Sequence, residues 1–572
     1  MKKLLTYIFL MIPVFFFASC SDFESEPREF VSEDYIWDSA DPSGIAAQDW
    51  VACIYAQLPS GYNRINGLPL ECASDDAVPS DPTSNTWNIV TGGYSPSVTF
   101  DDCFSNSYAG IRKANLFLKN YQRISWSDRL LARYLASESR FLRVFFYYEL
   151  IKRYGGVPLI GDKVLTLEDD LSLPRNSFDE CVSYMTTELD AIKDSVRDES
   201  YIGLRRASND SYFGRIYKGT VRALKAKVLL LAASPLWNPS NDLKKWEVAA
   251  AAADSVIQLK SYQYDATGKV TAVGPAYELI PNRYDLYTKI VTSESLFVRN
   301  TGGGNNNLAY ALSPVGFRVN NTDSKGVVSP TQELVDAFGM KNGKAITDLT
   351  SGYDPLNPYK NRDPRLDQTV FYNGMKWAQR AIETFGGGKD VPANLNVKTV
   401  TGYYDKKFLS DDSNNNRYNS NAGTWMIIRY ADILLMYAEA RNEFLSSPDQ
   451  RVYDAVNAVR TRAGITTTLT SGSLNQDQMR LLIRNERRNE FAFEEQRFWD
   501  IRRWKIANVV YGSTNQSVSL HGVVITKNSN GTLSYTKSVV ATPYFDSQSM
   551  FLFPFSKSEM LKNSNLSQNP GY

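Results

Sequence analysis

Residues 125–158 read SWSDRLLARYLASESRFLRVFFYYELIKRYGGVP, and their spacing decides the fold class. Leu131, Leu135, Leu142, Phe146 and Leu150 recur at helical intervals and mark one apolar face. Ser125 and Asp128, three apart, predict a capping box at the start of this helix; Gly155-Gly156 and Pro158 predict its end. Toward the N-terminus, a short helix spans about 46–56, and residues 59–100 are a long loop region rich in Pro, Gly, Ser, Asn and Asp. Helical patterning resumes at about 102. Toward the C-terminus, helices follow at about 178–197 and 218–234, the second carrying Val221, Leu224, Val228 and Leu231 and ending at Ser234-Pro235. Trp246, Ala249, Ala250, Ala253 and Ile257 continue the series, with alanines spaced to let neighbouring helices approach closely. Paired helices with this small–large pattern predict a mostly α fold with tetratricopeptide-like stacking over about 102–260 and 425–510.

Residues 262–424 interrupt the helices with glycine runs, Asn-rich stretches and short β-like runs such as 295–300, and are read as an irregular insertion. Helices return at 425–446, with Ile428, Ala431, Leu435 and Ala438 on one face, and at 449–463. One long charged helix is predicted from about 475 to 506. Residues 515–545 read as a small C-terminal β-hairpin turning at Asn528-Ser529-Asn530-Gly531.

Composition narrows the chemistry. The 572 residues are 43% hydrophobic and 22% charged, a globular balance. The formal net charge is +1, which gives no electrostatic reason to seek nucleic acid. Aromatic residues reach 13%, with 34 tyrosines, and supply flat amphipathic contact surface as well as core. The single histidine, His521, argues against a His-activated nucleophile or a multi-imidazole metal site. Cys20, Cys53, Cys72, Cys103 and Cys181 include no C-x-x-C pair; buried free thiols and a disulfide among the last four both fit an exported chain. Neither Gly302-Gly303-Gly304 nor Gly386-Gly387-Gly388 continues into a phosphate loop. Asp411-x-Ser413-x-Asn415 starts like a calcium loop, but has Asn416 at the turn position and Ala422 at the closing position. No metal and no cofactor is expected.

The N-terminus is read as an address. Lys2-Lys3 precedes an apolar run to Ala18, and Phe17-Ala18-Ser19-Cys20 places small residues before a cysteine, as lipoprotein processing requires. Residues 1–19 are expected to be a signal peptide, Cys20 the lipidated residue and 20–40 a tether, leaving 41–572 as one domain. Cleavage before Cys20 removes Lys2 and Lys3 and takes the net charge from +1 to −1. No later stretch has 18 uncharged apolar residues, so the chain is read as anchored to a membrane without crossing it. The acidic Ser21-Asp22-Phe23-Glu24-Ser25-Glu26 resembles an outer-surface export signal of the Bacteroidota.

Several motifs in fixed order carry a wider resemblance. They are Ser139-Arg140-Phe141-Leu142-Arg143 with the Tyr154-Gly155-Gly156-Val157-Pro158 exit, Tyr217–Lys227, Asn361-Arg362-Asp363-Pro364-Arg365-Leu366, and Arg429-Tyr430-Ala431-Asp432 with Glu439-Ala440. They continue with Asn457–Gly464, Ile483-Arg484-Asn485-Glu486-Arg487-Arg488-x-Glu490 through Arg497-x-Trp499-Asp500-Ile501-Arg502-Arg503, and the terminal Gln568-Asn569-Pro570-Gly571-Tyr572. Together they resemble the SusD/RagB family. The resemblance implies a helical scaffold supporting an irregular binding region. It implies a non-enzymatic outer-membrane lipoprotein that captures oligosaccharide, or in some members peptide. It also implies a SusC-like TonB-dependent transporter as partner, with this protein as its lid. The alternating charges Glu486, Arg487, Arg488, Glu490, Glu494, Glu495, Arg497, Arg502 and Arg503 are read as structural i to i+4 lacing, because interleaved arginines depress carboxylate pKa values and leave no general acid. A two-carboxylate glycosidase is the competing reading.

A sugar site needs flat rings for the C–H face and polar side chains for the hydroxyl rim. Loop 71–96 offers Asp75, Asp76, Trp87, Asn88 and Tyr94; the insertion offers Tyr310, Phe317 and Trp377. Asp75-Asp76 has a second reading, holding the loop through backbone N–H groups or capping a helix.

Overall fold

The computed structural model describes residues 33–199, 214–264, 267, 269–288, 292–300, 306–319, 321–378, 380–412, 417–419 and 423–572. The expected signal peptide, Cys20, most of the expected tether, Gly302-Gly303-Gly304 and residues 413–416 lie outside the described residues. Among the described residues, ten principal helices form the scaffold: α1 (Ile45–Tyr55), α2 (Phe104–Asn120), α3 (Arg129–Tyr154), α4 (Phe178–Ile192), α5 (Lys218–Ala233), α6 (Leu243–Ile257), α7 (Tyr430–Phe444), α8 (Gln450–Arg462), α9 (Gln476–Glu490) and α10 (Gln496–Arg503). Six strands matter to the argument: β1 (Ala77–Pro79), β2 (Ser295–Asn300), β3 (Val328–Pro330), β4 (Thr424–Arg429), β5 (Leu520–Lys527) and β6 (Leu533–Ala541). From α2 to α8 each helix packs on the next, α6 directly on α7 across the insertion, and α9 packs on α7 and α8. The fold is mostly α, with tetratricopeptide-like helix pairs and an insertion looped out of their stack. No helix among the described residues is long and apolar enough to cross a membrane.

Small residues set the helix spacing. Ala223, Ala226, Ala249, Ala250 and Ala253 are all buried between α5, α6 and their neighbours. At the α2–α3 contact, Gly110 lies so close to the Phe146 ring that a Cβ there would overlap it. Gly110→Ala is therefore expected to destabilise by about 1–3 kcal/mol from overpacking, reversing the roughly 1 kcal/mol gain that Ala brings to a helix interior. Urea unfolding checks the sign; a midpoint at or above wild type would show that the ring has room to move.

Four local readings change. Asp128 alone caps α3, accepting from the Leu130 and Leu131 amides at 2.9 Å, without the box expected with Ser125. The helix expected from 425 starts at Tyr430, because 424–429 is β4, paired antiparallel with β2. The tether expected to reach residue 40 ends sooner: Trp37 is 2% exposed, in a small core with Val51, Phe117 and Leu135. The long charged helix is two helices, broken at 491–495, where Phe493 (φ 62°) and Glu495 (φ 61°) take the left-handed conformation. No Gly or Pro marks that break. A larger core cluster runs from Ile54 to Leu566, and β5 and β6 form the expected C-terminal hairpin. The four described cysteines are free thiols.

Candidate functional site

The acidic and basic residues of α9 and α10 tie the loops to the scaffold. Glu490 is fully buried and accepts from Arg429 (2.7 Å), Arg462 (2.5 Å) and Arg365 (3.2 Å). Arg365 also binds Asp363 and Glu486, so the Asn361–Leu366 motif of the insertion is clamped to α9. Glu494 takes Arg429 at 2.7 Å and Lys407 at 2.8 Å. Arg487 holds Asp432 of α7 at 3.0 Å and Asp500 of α10 at 2.8 Å. Partners distant in sequence thus replace most of the expected i to i+4 lacing, while Arg503 keeps a partner one turn away in Asp500 (2.8 Å). Burial alone would raise the Glu490 carboxyl; Arg462, Arg429, Arg283 and Arg365 outweigh it and hold it well below the ordinary value.

Asp75 and Asp76, expected at a ligand-facing rim, belong instead to this buried network. Arg497 binds both oxygens of Asp75 at 2.8 Å, and Arg488 reaches Asp75 at 2.8 Å and Asp76 at 2.7 Å. Both aspartates are nearly inaccessible. Thr331 adds backbone support, its hydroxyl donating to the Asp75 carbonyl (2.6 Å) and its amide to that of Asp76 (2.9 Å). Desolvation pushes Asp75 up, but Arg488 and Arg497 bring it down to about 2.

The same balance places Glu149, Asp432 and Glu494 at about 2. The sign follows from linkage: these groups bind protons more weakly folded than unfolded, so their stabilisation is complete above the ordinary carboxylate range and lost as pH falls toward 2. Asp405 and Glu199, pushed up to about 7 by burial, are protonated in the folded state throughout this range and add no further change once their unfolded carboxyls are protonated too, well below pH ~4. A melting temperature that drops steeply between about pH 4 and 2 is expected by calorimetry; a flat profile there would deny that these pairs hold the fold.

Beyond the clamp, β1 pairs antiparallel with β3, Ala77 opposite Pro330, and joins loop 71–96 to the insertion. The Ser80 amide donates to the Val327 carbonyl (3.0 Å), Val327 to that of Ala311 (2.9 Å) and Lys325 to that of Tyr310 (3.0 Å). Trp87 stands on a short helix, Thr86–Val90, within a stretch read as nonhelical. Its Nε1 donates to the Asp81 carbonyl at 2.9 Å, which fixes an indole that stays half-buried. Asn88 beside it is exposed. Tyr310 is also half-buried, with the Lys325 ammonium 5.1 Å from its ring centroid.

The remaining expected residues do not reach the surface. Tyr94 is 6% exposed, edge-on to Phe100 at 4.9 Å, its hydroxyl donating to the Met550 carbonyl. Trp377 is 1% exposed and packs edge-on against Phe371 at 4.8 Å. Phe317 is buried beneath the Arg380 guanidinium, 3.7 Å from its centroid. All three are core residues, because a loop with polar neighbours can still turn its rings inward.

One ring was missed. Tyr544, 38% exposed, donates its amide to the Val90 carbonyl (3.1 Å) and shares a hydrogen bond with Thr514 (3.1 Å). A Cβ on Gly92 would strike its ring, so Tyr544 packs directly beside the Trp87 helix. Only its place after the hairpin, next to Pro543, hinted that a ring there stands on the surface. Trp87 stands at the start of this helical turn and Tyr544 packs at its end, against Val90 and Gly92, and Asn88 and Thr91 of the same turn are exposed. Two partly exposed rings with amide and hydroxyl groups can stack on and hydrogen-bond a small polar molecule.

This architecture defines a helical scaffold protein whose rigid frame presents a small ring-bearing face. The SusD family model matches residues 293–572, and a second model, described as starch-binding associating with outer membrane, matches residues 38–217. The chain belongs to the SusD/RagB family. It is 26% identical to SusD-like protein P2 of Formosa agariphila over 615 residues, covering 100% of both chains. A SusD-like protein from Bacteroides fragilis shares its structure with a TM-score of 0.75 at 26% identity, over 95% of this chain and 99% of that one. A SusD-like carbohydrate binding protein from the same species superposes with a TM-score of 0.72 at 22% identity, over 93% of this chain and 100% of that one.

Proposed function

We propose that this protein is a surface lipoprotein, anchored through Cys20, that captures oligosaccharide without altering it and passes it to a SusC-like TonB-dependent transporter in the outer membrane. The observation that carries the binding role is the Trp87–Tyr544 face: two partly exposed rings, Trp87 on a loop that buried ion pairs clamp to the scaffold and Tyr544 hydrogen-bonded beside it from the segment after the hairpin. Family membership and a carbohydrate-binding structural relative support a sugar as the ligand. The glutamates that a hydrolase would draw on, Glu490 and Glu494, are buried among arginines and lysine, which supports binding over bond cleavage. A small wet site leaves little surplus over the cost of association, so affinities on the order of micromolar to millimolar are expected.

Calorimetric titration with oligosaccharide and peptide panels tests the ligand class. Binding confined to peptides would move the protein to peptide import, and binding to neither would remove the capture role. Co-purification of a TonB-dependent barrel from detergent-solubilised outer membranes tests the partner. Cys20→Ala is expected to release the protein into the soluble fraction; retention in the membrane would contradict the anchor.

A further inference from the structure

A second groove lies at the opposite end of helix α3 from Gly155, on the outer side of the helix stack. It encloses about 970 Å³ between the start of α3, the end of α2 and the end of α4, within the size of small-ligand sites. Arg129, Arg133 and Arg140 stand at i, i+4 and i+11 of α3, on one face, with Ala132 and Ala136 between them keeping the floor low. Arg140 is held by both oxygens of Glu188 at 2.9 Å. Among the described residues no carboxylate lines the groove, and neither Arg129 nor Arg133 has a carboxylate partner; the Arg133 guanidinium lies 5.7 Å from the Tyr134 ring centroid.

A row of arginines alone is ordinary solvated surface. Two fixed rings set this one apart. Tyr121 stacks on Phe117, centroids 5.6 Å apart and planes within 10°, and remains half-exposed. Trp126 donates its Nε1 to the Tyr121 carbonyl at 2.7 Å, and the Gly44 backbone presses against its indole so closely that a Cβ there would overlap it. Both rings are therefore positioned before any ligand arrives. Flat rings suit the C–H face of a sugar, and free guanidinium forks suit planar carboxylates or sulfate oxygens.

We infer that this groove is a second binding site, for an acidic oligosaccharide bearing carboxylate or sulfate groups, stacked on Trp126 and Tyr121 and paired with Arg129 and Arg133. It shares no residue with the Trp87–Tyr544 face, so it stands or falls independently of the proposed capture role.

The test titrates the mature protein with an oligogalacturonate, a sulfated galactan oligosaccharide and a neutral laminari-oligosaccharide. At least one acidic ligand is expected to bind, about tenfold more weakly at high than at low salt, because exposed ion pairs are screened. The double variant Arg129→Ala/Arg133→Ala is expected to lose that binding at least about tenfold while melting as wild type, since surface substitutions barely change stability. Trp126→Ala is expected to weaken it even at low salt, where charge alone would suffice. The carboxylate and sulfate arms identify which acidic group is taken. The inference is overturned if neither acidic ligand binds, if the double variant binds as wild type, or if Trp87→Ala abolishes the binding equally, which would assign the ligand to the other face.

Discussion

Glu490→Gln is expected to destabilise the protein by about 3–5 kcal/mol, the cost of leaving a buried charge uncompensated. Glu490 is fully buried and accepts from Arg429, Arg462 and Arg365, which reach it from a strand, a helix and the insertion. The amide fills nearly the same volume but removes the negative charge that three guanidinium groups share, and its NH2 group points donors at donors. A loss of this size is a large part of a domain's usual 5–15 kcal/mol of stability, so soluble yield should also fall. Glu247→Gln is the control. Its pair with Lys244 is solvent-exposed on both sides, and such pairs contribute about 0–1 kcal/mol. Equal denaturant midpoints for the two variants would mean that the α9–α10 charges are incidental to the fold.

Trp87→Ala is expected to weaken oligosaccharide binding about tenfold to hundredfold, or roughly 1.4–2.8 kcal/mol, without lowering the melting temperature appreciably. The indole is half-buried and its one hydrogen bond goes to the neighbouring Asp81 carbonyl, so its loss leaves the β1–β3 joint and the Asp75 clamp in place. Tyr544→Ala should act in the same direction. The two losses should not simply add, because Trp87 stands on the helical turn against which Tyr544 packs. By contrast, Trp377→Ala should cost about 3–5 kcal/mol of stability through a core cavity and affect binding only by unfolding the protein.

These contrasts show where the sequence was readable. The helix stack was legible because apolar residues in α3 and α5 keep a 3.6-residue period and alanines mark the close contacts. The break between α9 and α10 was not, because its left-handed residues are Phe493 and Glu495, held by tertiary contacts in place of the glycine that usually announces such a turn. The charged run reads as structural, but its partners include Asp75, Arg365, Lys407, Arg429 and Asp432, all outside these two helices, and spacing along one helix cannot reveal such partners. For the site, a ring among polar residues was the only available signal. It selected Trp87 and Asn88, which lie at the surface, and equally Tyr94, Phe317 and Trp377, which do not, while Tyr544 became visible only once the chain's last segment was seen packing beside the Trp87 helix.

The most direct measurement is isothermal titration of wild-type protein and Trp87→Ala with the same oligosaccharide, followed by chromatography of the recovered sugar. The account predicts saturable binding by wild type, weakened at least about tenfold in the variant, and sugar returned intact. Undiminished binding by the variant, or shorter products after incubation with wild type, would contradict it.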